Sequence, residues 1–208
     1  MTDFGGSRGK KARRRPGRAG GTKKRALATV PPIGSWPPPR TPVIAAAMGY
    51  VVIPRVAVPP AKRKKYLAIF DATRGADKPA NLIPAVNMAG FMLNAFRAAG
   101  VPRSNTRFAI VFHGLALDGL LDETHYRARF GVSNPNIPVL EAFRKADVEL
   151  FVCGQNLAFT QVDPKTLTPS VAVASDASIV AMTYQNRGYA LLSDASPIFG
   201  LPPPAWAR

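Results

Sequence analysis

The chain has 208 residues, 28 Lys+Arg against 12 Asp+Glu, a net charge of +16, and a single Cys. One Cys excludes a disulfide framework and any Cys-based zinc cluster. No run of about 18 apolar residues is present to span a bilayer, and 47% hydrophobic residues is ordinary for a globular chain.

The charge is unevenly placed. Residues 1–65 carry 16 basic side chains and one acidic, Asp3, whereas the remainder is close to neutral. The high pI therefore belongs to the amino-terminal part, and residues 1–60 read as a disordered basic tail or targeting segment. Gly, Pro, Lys and Arg dominate it, and nothing there repeats at helix or strand period. A tail of this kind can meet nucleic acid or an anionic membrane through phosphate charge alone. Val43 to Ile53 has the length of a signal h-region behind basic residues, although no Ala-x-Ala site follows. The plainest alternatives are a solvated extension, or an over-long gene model with Met48 as the start. A cytoplasmic location is expected, or a periplasmic one if the segment is a signal.

Residues 61–196 read as one α/β domain, and 197–208 as a Pro-rich end. Tyr66 to Phe70 is a short apolar run ending at Asp71, which suits a strand buried on both faces. A turn over 72–79 precedes a helix expected from Asn81, its N-cap, to Ala99, with Pro84 in the first turn and Gly100 as the stop. Phe108 to Phe112 is a second strand, ending at His113-Gly114. Helical pattern covers Leu120 to Phe130 and Ile137 to Ala146. Val148 to Val152 is a third strand, ending at Cys153-Gly154, with a short helix starting near Gln155. Val171 to Ala174 is a fourth strand, Asp176 caps a helix ending at Gly188, and Tyr189 to Leu192 is a fifth strand. Strands alternating with helices imply a three-layer α/β/α fold around a mostly parallel sheet of about five strands.

Ligands of an open parallel sheet bind beyond the carboxyl ends of its strands. Three predicted strands end in Asp71, His113 and Cys153, so a parallel sheet would bring all three to one edge. Cys153 precedes Gly154-Gln155-Asn156 at a helix start, where backbone N–H groups favour an anionic sulfur. Equally, Cys153 reads as a small buried hydrophobe. His113 can move a proton for a thiol or substrate, or can rest on a backbone carbonyl. Asp71, Thr73 and Arg74 can line the crevice, although Asp71 can also merely cap the turn and pair with Arg74. His125 reads as a solvated helix residue. Two distant histidines offer no metal set, and none of the usual signatures of dinucleotide, phosphate-loop or serine-hydrolase sites is present, so no cofactor is expected.

Four stretches, Ile69-Phe70-Asp71-Ala72-Thr73-Arg74-Gly75, Val111-Phe112-His113-Gly114-Leu115-Ala116, Val152-Cys153-Gly154-Gln155-Asn156-Leu157 and Gln185-Asn186-Arg187-Gly188-Tyr189-Ala190, resemble the DsrE/DsrF-like family in order and spacing. That family includes sulfur-relay subunits such as those of the TusBCD complex. The resemblance covers about residues 65–192 and leaves out the basic tail. It implies a three-layer fold assembled as trimers or hexamers, and a persulfide carried on Cys153 between donor and acceptor proteins. His113 and Asp71 match an uncharacterised branch. The rival expectation is a non-catalytic oligomeric module holding a small anionic or nucleotide-like ligand at the same edge, through Asp71, Thr73, Arg74, Gly154, Gln155 and Asn156. Nucleic acid is an expected partner only of the tail.

Overall fold

The computed structural model describes residues 29–193; residues 1–28 of the basic tail and the Pro-rich end lie outside that range. Five strands form one sheet: β1 (Tyr66–Ala72), β2 (Thr106–Phe112), β3 (Glu149–Cys153), β4 (Ala172–Ala174) and β5 (Ala190–Ser193). All pair in parallel, in the spatial order β4-β3-β2-β1-β5. The helices are α1 (Pro84–Ala98), α2 (Glu123–Phe130), α3 (Ile137–Lys145), α4 (Gly154–Thr160) and α5 (Ala177–Asn186), with a 3-10 turn over Gly114–Leu120.

The alternating faces of the strands explain the layers. Phe70 and Ala72 of β1, Ile110 and Phe112 of β2, and Leu150 and Val152 of β3 point to one side and are fully or nearly buried with α1 and α3. Ile69, Ala109, Val111 and Cys153 point to the other side, against Ala177, Val180 and Tyr184 of α5. Because both faces of the central strands β1, β2 and β3 are covered, those strands carry runs of apolar residues rather than an alternating pattern. Connections step from β1 to β4 with helices on one face. The return to β5 carries α5 over the opposite face, as right-handed crossovers require.

Two expectations need correction. The first helix begins at Pro84, not Asn81. A residue before proline is pushed out of the α region, and Ile83 is accordingly extended, with φ −63° and ψ 145°. Its N–H is bonded to the buried Asn136 side chain, while Asn81 closes the preceding turn on Lys78 and Asp77.

The packed unit also begins before residue 61. Residues 40–50 form a strap, closed by an antiparallel bridge between Arg40 and Tyr50. It lies along α1, where Asn87, Gly90 and Asn94 share one stripe at helical spacing. Asn94 is fully buried; its Oδ1 accepts from the N–H groups of Val43 and Ile44, and its Nδ2 donates to the carbonyls of Ile44 and Met48. Asn87 accepts from Met48 N–H at 2.8 Å. Any side chain at Gly90 would collide with Ala47, so only glycine admits the strap there. The 1% exposure of Ile44 makes it part of the core, although it precedes Met48. Burying one such side chain contributes roughly 1.5–3 kcal/mol, which helps hold a segment that has no helix or strand of its own.

Candidate functional site

The register of the sheet brings the sequence-selected side chains together. Asp71 pairs with Val111, and Phe112 with Val152, so Asp71, His113 and Cys153 end three adjacent strands on the face that α5 covers. His113 directly follows Phe112, as Cys153 follows Val152 on the neighbouring strand. His113 is fastened to β1 by its N–H, which donates to the Ala72 carbonyl at 2.9 Å. The chain then turns at Gly114, whose φ of +58° favours glycine, and a Cβ there would press the Thr73 carbonyl at 3.0 Å.

His113 Nε2 lies 2.7 Å from Asp71 Oδ1, with both side chains about one-third exposed. A carboxylate accepts, so Nε2 is the donor in this pair. Asp71 is thus engaged by His113 across the β1–β2 boundary.

Cys153 is only 4% exposed. Its sulfur accepts the N–H of Asn156 at 3.4 Å, and its thiol points to Asp176 Oδ2 at 3.8 Å. The Asn156 side chain in turn accepts the N–H of Gly114, joining the end of β2 to the start of α4. Gly154 packs so closely on β4 that a Cβ would stand 2.6 Å from the Ala174 carbonyl. Gln155 and Arg74 are exposed at the rim, and Thr73 is half-buried. The carboxyl edge thus holds two linked units, Asp71–His113 and Asn156–Cys153–Asp176.

Asp176 is the member that sequence reasoning assigned only to capping. Its Oδ1 does accept from the N–H groups of Ser178 and Ile179 at the start of α5. The approach of Oδ2 to the thiol comes from the packing of the β4–α5 junction on β3, for which local sequence has no signal. The Ile179 and Ser178 N–H bonds, with the thiol, hold the Asp176 carboxyl below the ordinary Asp range. A folded carboxyl that binds its proton less tightly than the unfolded one adds stability above the ordinary Asp value of ~3.9, and loses it as the pH falls through the depressed value. Asp176→Ala is expected to melt at a lower temperature than wild type at neutral pH, with the gap closing in acid; a gap that persists below pH ~3 would place the effect elsewhere.

Farther along the same face, burial and the neighbouring Glu149 raise the Tyr184 hydroxyl above its usual range, so it stays protonated. His125 is held on the α2 cap Asp122 at 2.8 Å and is half exposed, away from the edge. Among the described residues no cluster of His, Cys, Asp and Glu has metal-binding geometry, and no helix is long and apolar enough to cross a membrane.

No protein-family model matches the chain, and no curated protein matches it. It is similar to a solved structure described as a protein of unknown function, MTH1491 of Methanobacterium thermoautotrophicum. The two share 15% identity over 62% of this chain and 99% of that one, with a TM-score of 0.44.

Proposed function

We propose that the protein is a sulfur-relay or thiol-handling carrier that holds sulfane sulfur as a persulfide on Cys153. The observation that carries this reading is the setting of the sulfur: at a strand end, accepting the Asn156 N–H and directed at Asp176, on the same sheet edge as the Asp71–His113 pair. The DsrE/DsrF-like resemblance of the same stretches supports it from the sequence side.

The chemistry balances without an added oxidant. The Cys153 proton passes to His113 Nδ1 as Sγ attacks the outer sulfur of a donor persulfide. A new S–S bond forms, the donor's own S–S bond breaks, and its electron pair leaves on the donor thiolate. That thiolate takes the proton from His113, and the transferred sulfur keeps its hydrogen. Delivery to an acceptor thiol is the same exchange in reverse, through attack on the outer sulfur. Because Cys153 is buried, the β3–α4 edge must open to admit a donor. Association into oligomers belongs to the same proposal, and Ile179 and Met182 on α5 and Leu191 on β5 supply exposed apolar surface for it.

Incubation with a cysteine desulfurase and cysteine, read by intact mass, tests the reading. Wild type is expected to gain one sulfur atom and Cys153→Ser none. His113→Gln should load about 10²-fold more slowly, the low end for a positioned acid–base group. Absence of the adduct on wild type, or its presence on Cys153→Ser, overturns the reading.

The difference in exposure favours a second reading. The Asp71–His113 pair is open to solvent while the thiol is covered, which suits a module binding a small anionic or nucleotide-like ligand with Cys153 as a bystander. Saturable stabilisation of Cys153→Ala by AMP or phosphate, lost in His113→Gln, would select it.

A further inference from the structure

At the opposite, amino-terminal edge of the sheet, a hollow of about 440 Å³ opens between the ends of α1 and α3. Its wall is apolar, formed by Leu93 and Phe96 of α1, Val101 ahead of β2, and Ala142 of α3, with Val43 of the strap alongside. Its rim carries three cations, Arg97, Arg103 and Lys145, and no carboxylate lines it.

Arg103 is already engaged. It lies 2.7 Å from Asp147 and donates to the Lys145 carbonyl at 2.5 Å. Among the described residues, the side chains of Arg97 and Lys145 form no ion pair. Both stand in the last turns of their helices, where a cation complements the carbonyl end. That accounts for their sign, but it does not require an apolar recess between them. A recess of several hundred Å³ with apolar walls and a few convergent polar groups has the make-up of a small-molecule site. Residues 1–28 are a poor occupant, since they carry ten basic side chains and one acidic.

We propose that this hollow binds a small amphipathic anion, a carboxylate on a short apolar body. Arg97 and Lys145 hold the carboxylate, and the apolar part lies against Leu93, Phe96 and Val101. The site uses no residue of the carboxyl edge, so its fate is independent of the sulfur reading.

The full chain is titrated with octanoate by calorimetry up to ~10 mM, the range of weak single-site binding. 1-Octanol and octylamine serve as the neutral and cationic comparisons. Saturable binding of octanoate is expected, with octanol weaker and octylamine absent. The Arg97→Gln/Lys145→Gln double variant alters two side chains outside the core and should lose at least about tenfold in affinity, as charge-assisted bonds to a carboxylate are removed. Ala142→Phe, which fills the hollow, should abolish binding, and Cys153→Ser should bind as wild type. Absence of saturation, an equal response to octanol, or unchanged affinity in both the double variant and Ala142→Phe overturns the proposal.

Discussion

Asn94→Ala is expected to release the strap and lower stability by about 3 kcal/mol, the largest single effect anticipated outside the apolar core. The substitution strands the N–H groups of Val43 and Ile44 and removes the donor to the Ile44 and Met48 carbonyls. A buried polar group left unpaired costs roughly 1–3 kcal/mol. If the strap instead peels away to reach water, the burial of Ile44, roughly 1.5–3 kcal/mol, is forfeited. The two routes converge on a similar loss, and at ~2–4 °C per kcal/mol for a domain of this size the melting temperature should fall by about 6–12 °C. Trypsin should then cut faster after Arg40, because its bridge to Tyr50 is held in place by the same strap. Asn87→Ala removes the acceptor for Met48 N–H and should cost less. Unchanged melting together with unchanged cleavage at Arg40 would mean that the amide of Asn94 does not fasten the segment.

Gly154→Ala should disturb the candidate site most directly without touching a reactive group. Its added Cβ would stand 2.6 Å from the Ala174 carbonyl and 3.4 Å from that of Ser175, both backbone atoms that cannot rotate aside. β4 and the start of α5 must therefore move away from β3. Overpacking of this kind costs roughly 1–3 kcal/mol, or about 2–12 °C in melting temperature. The displacement acts on the residue next to Ser175, Asp176, and so on the thiol contact at 3.8 Å. The sequence has one Cys, so labelling by a thiol reagent under native conditions reports Cys153 alone. Labelling is expected to be slow in wild type, where the residue is 4% exposed, and markedly faster in Gly154→Ala. Equal labelling rates and equal stability would mean that the β3–β4 contact yields without consequence.

The strands were legible because a parallel sheet covered on both faces demands short apolar runs. Tyr66 to Phe70, Phe108 to Phe112 and Val148 to Val152 each fall within a residue or two of an observed strand. The polar ends of those runs were legible for the same reason: burial stops where the strand leaves the sheet, so Asp71, His113 and Cys153 mark the carboxyl edge. Helix entry was harder. Asn81 has the composition of a cap, but the constraint that Pro84 places on Ile83 moves the start of α1, and Asn136, distant in sequence, supplies the bond.

What the amino-acid order determined by itself is the alternation of buried strands and helices, and with it the parallel sheet and the edge where Asp71, His113 and Cys153 gather. Those properties follow from local periodicity and from terminating residues, each readable within one element. Tertiary structure alone decided which partner each of those side chains keeps. His113 turns to Asp71 across a strand boundary, Asp176 reaches the thiol from a helix cap, and Asn94 fastens a strap 50 residues upstream in the chain. A polar side chain satisfies its hydrogen bonds with whatever the fold brings near, and proximity between distant segments has no local signature.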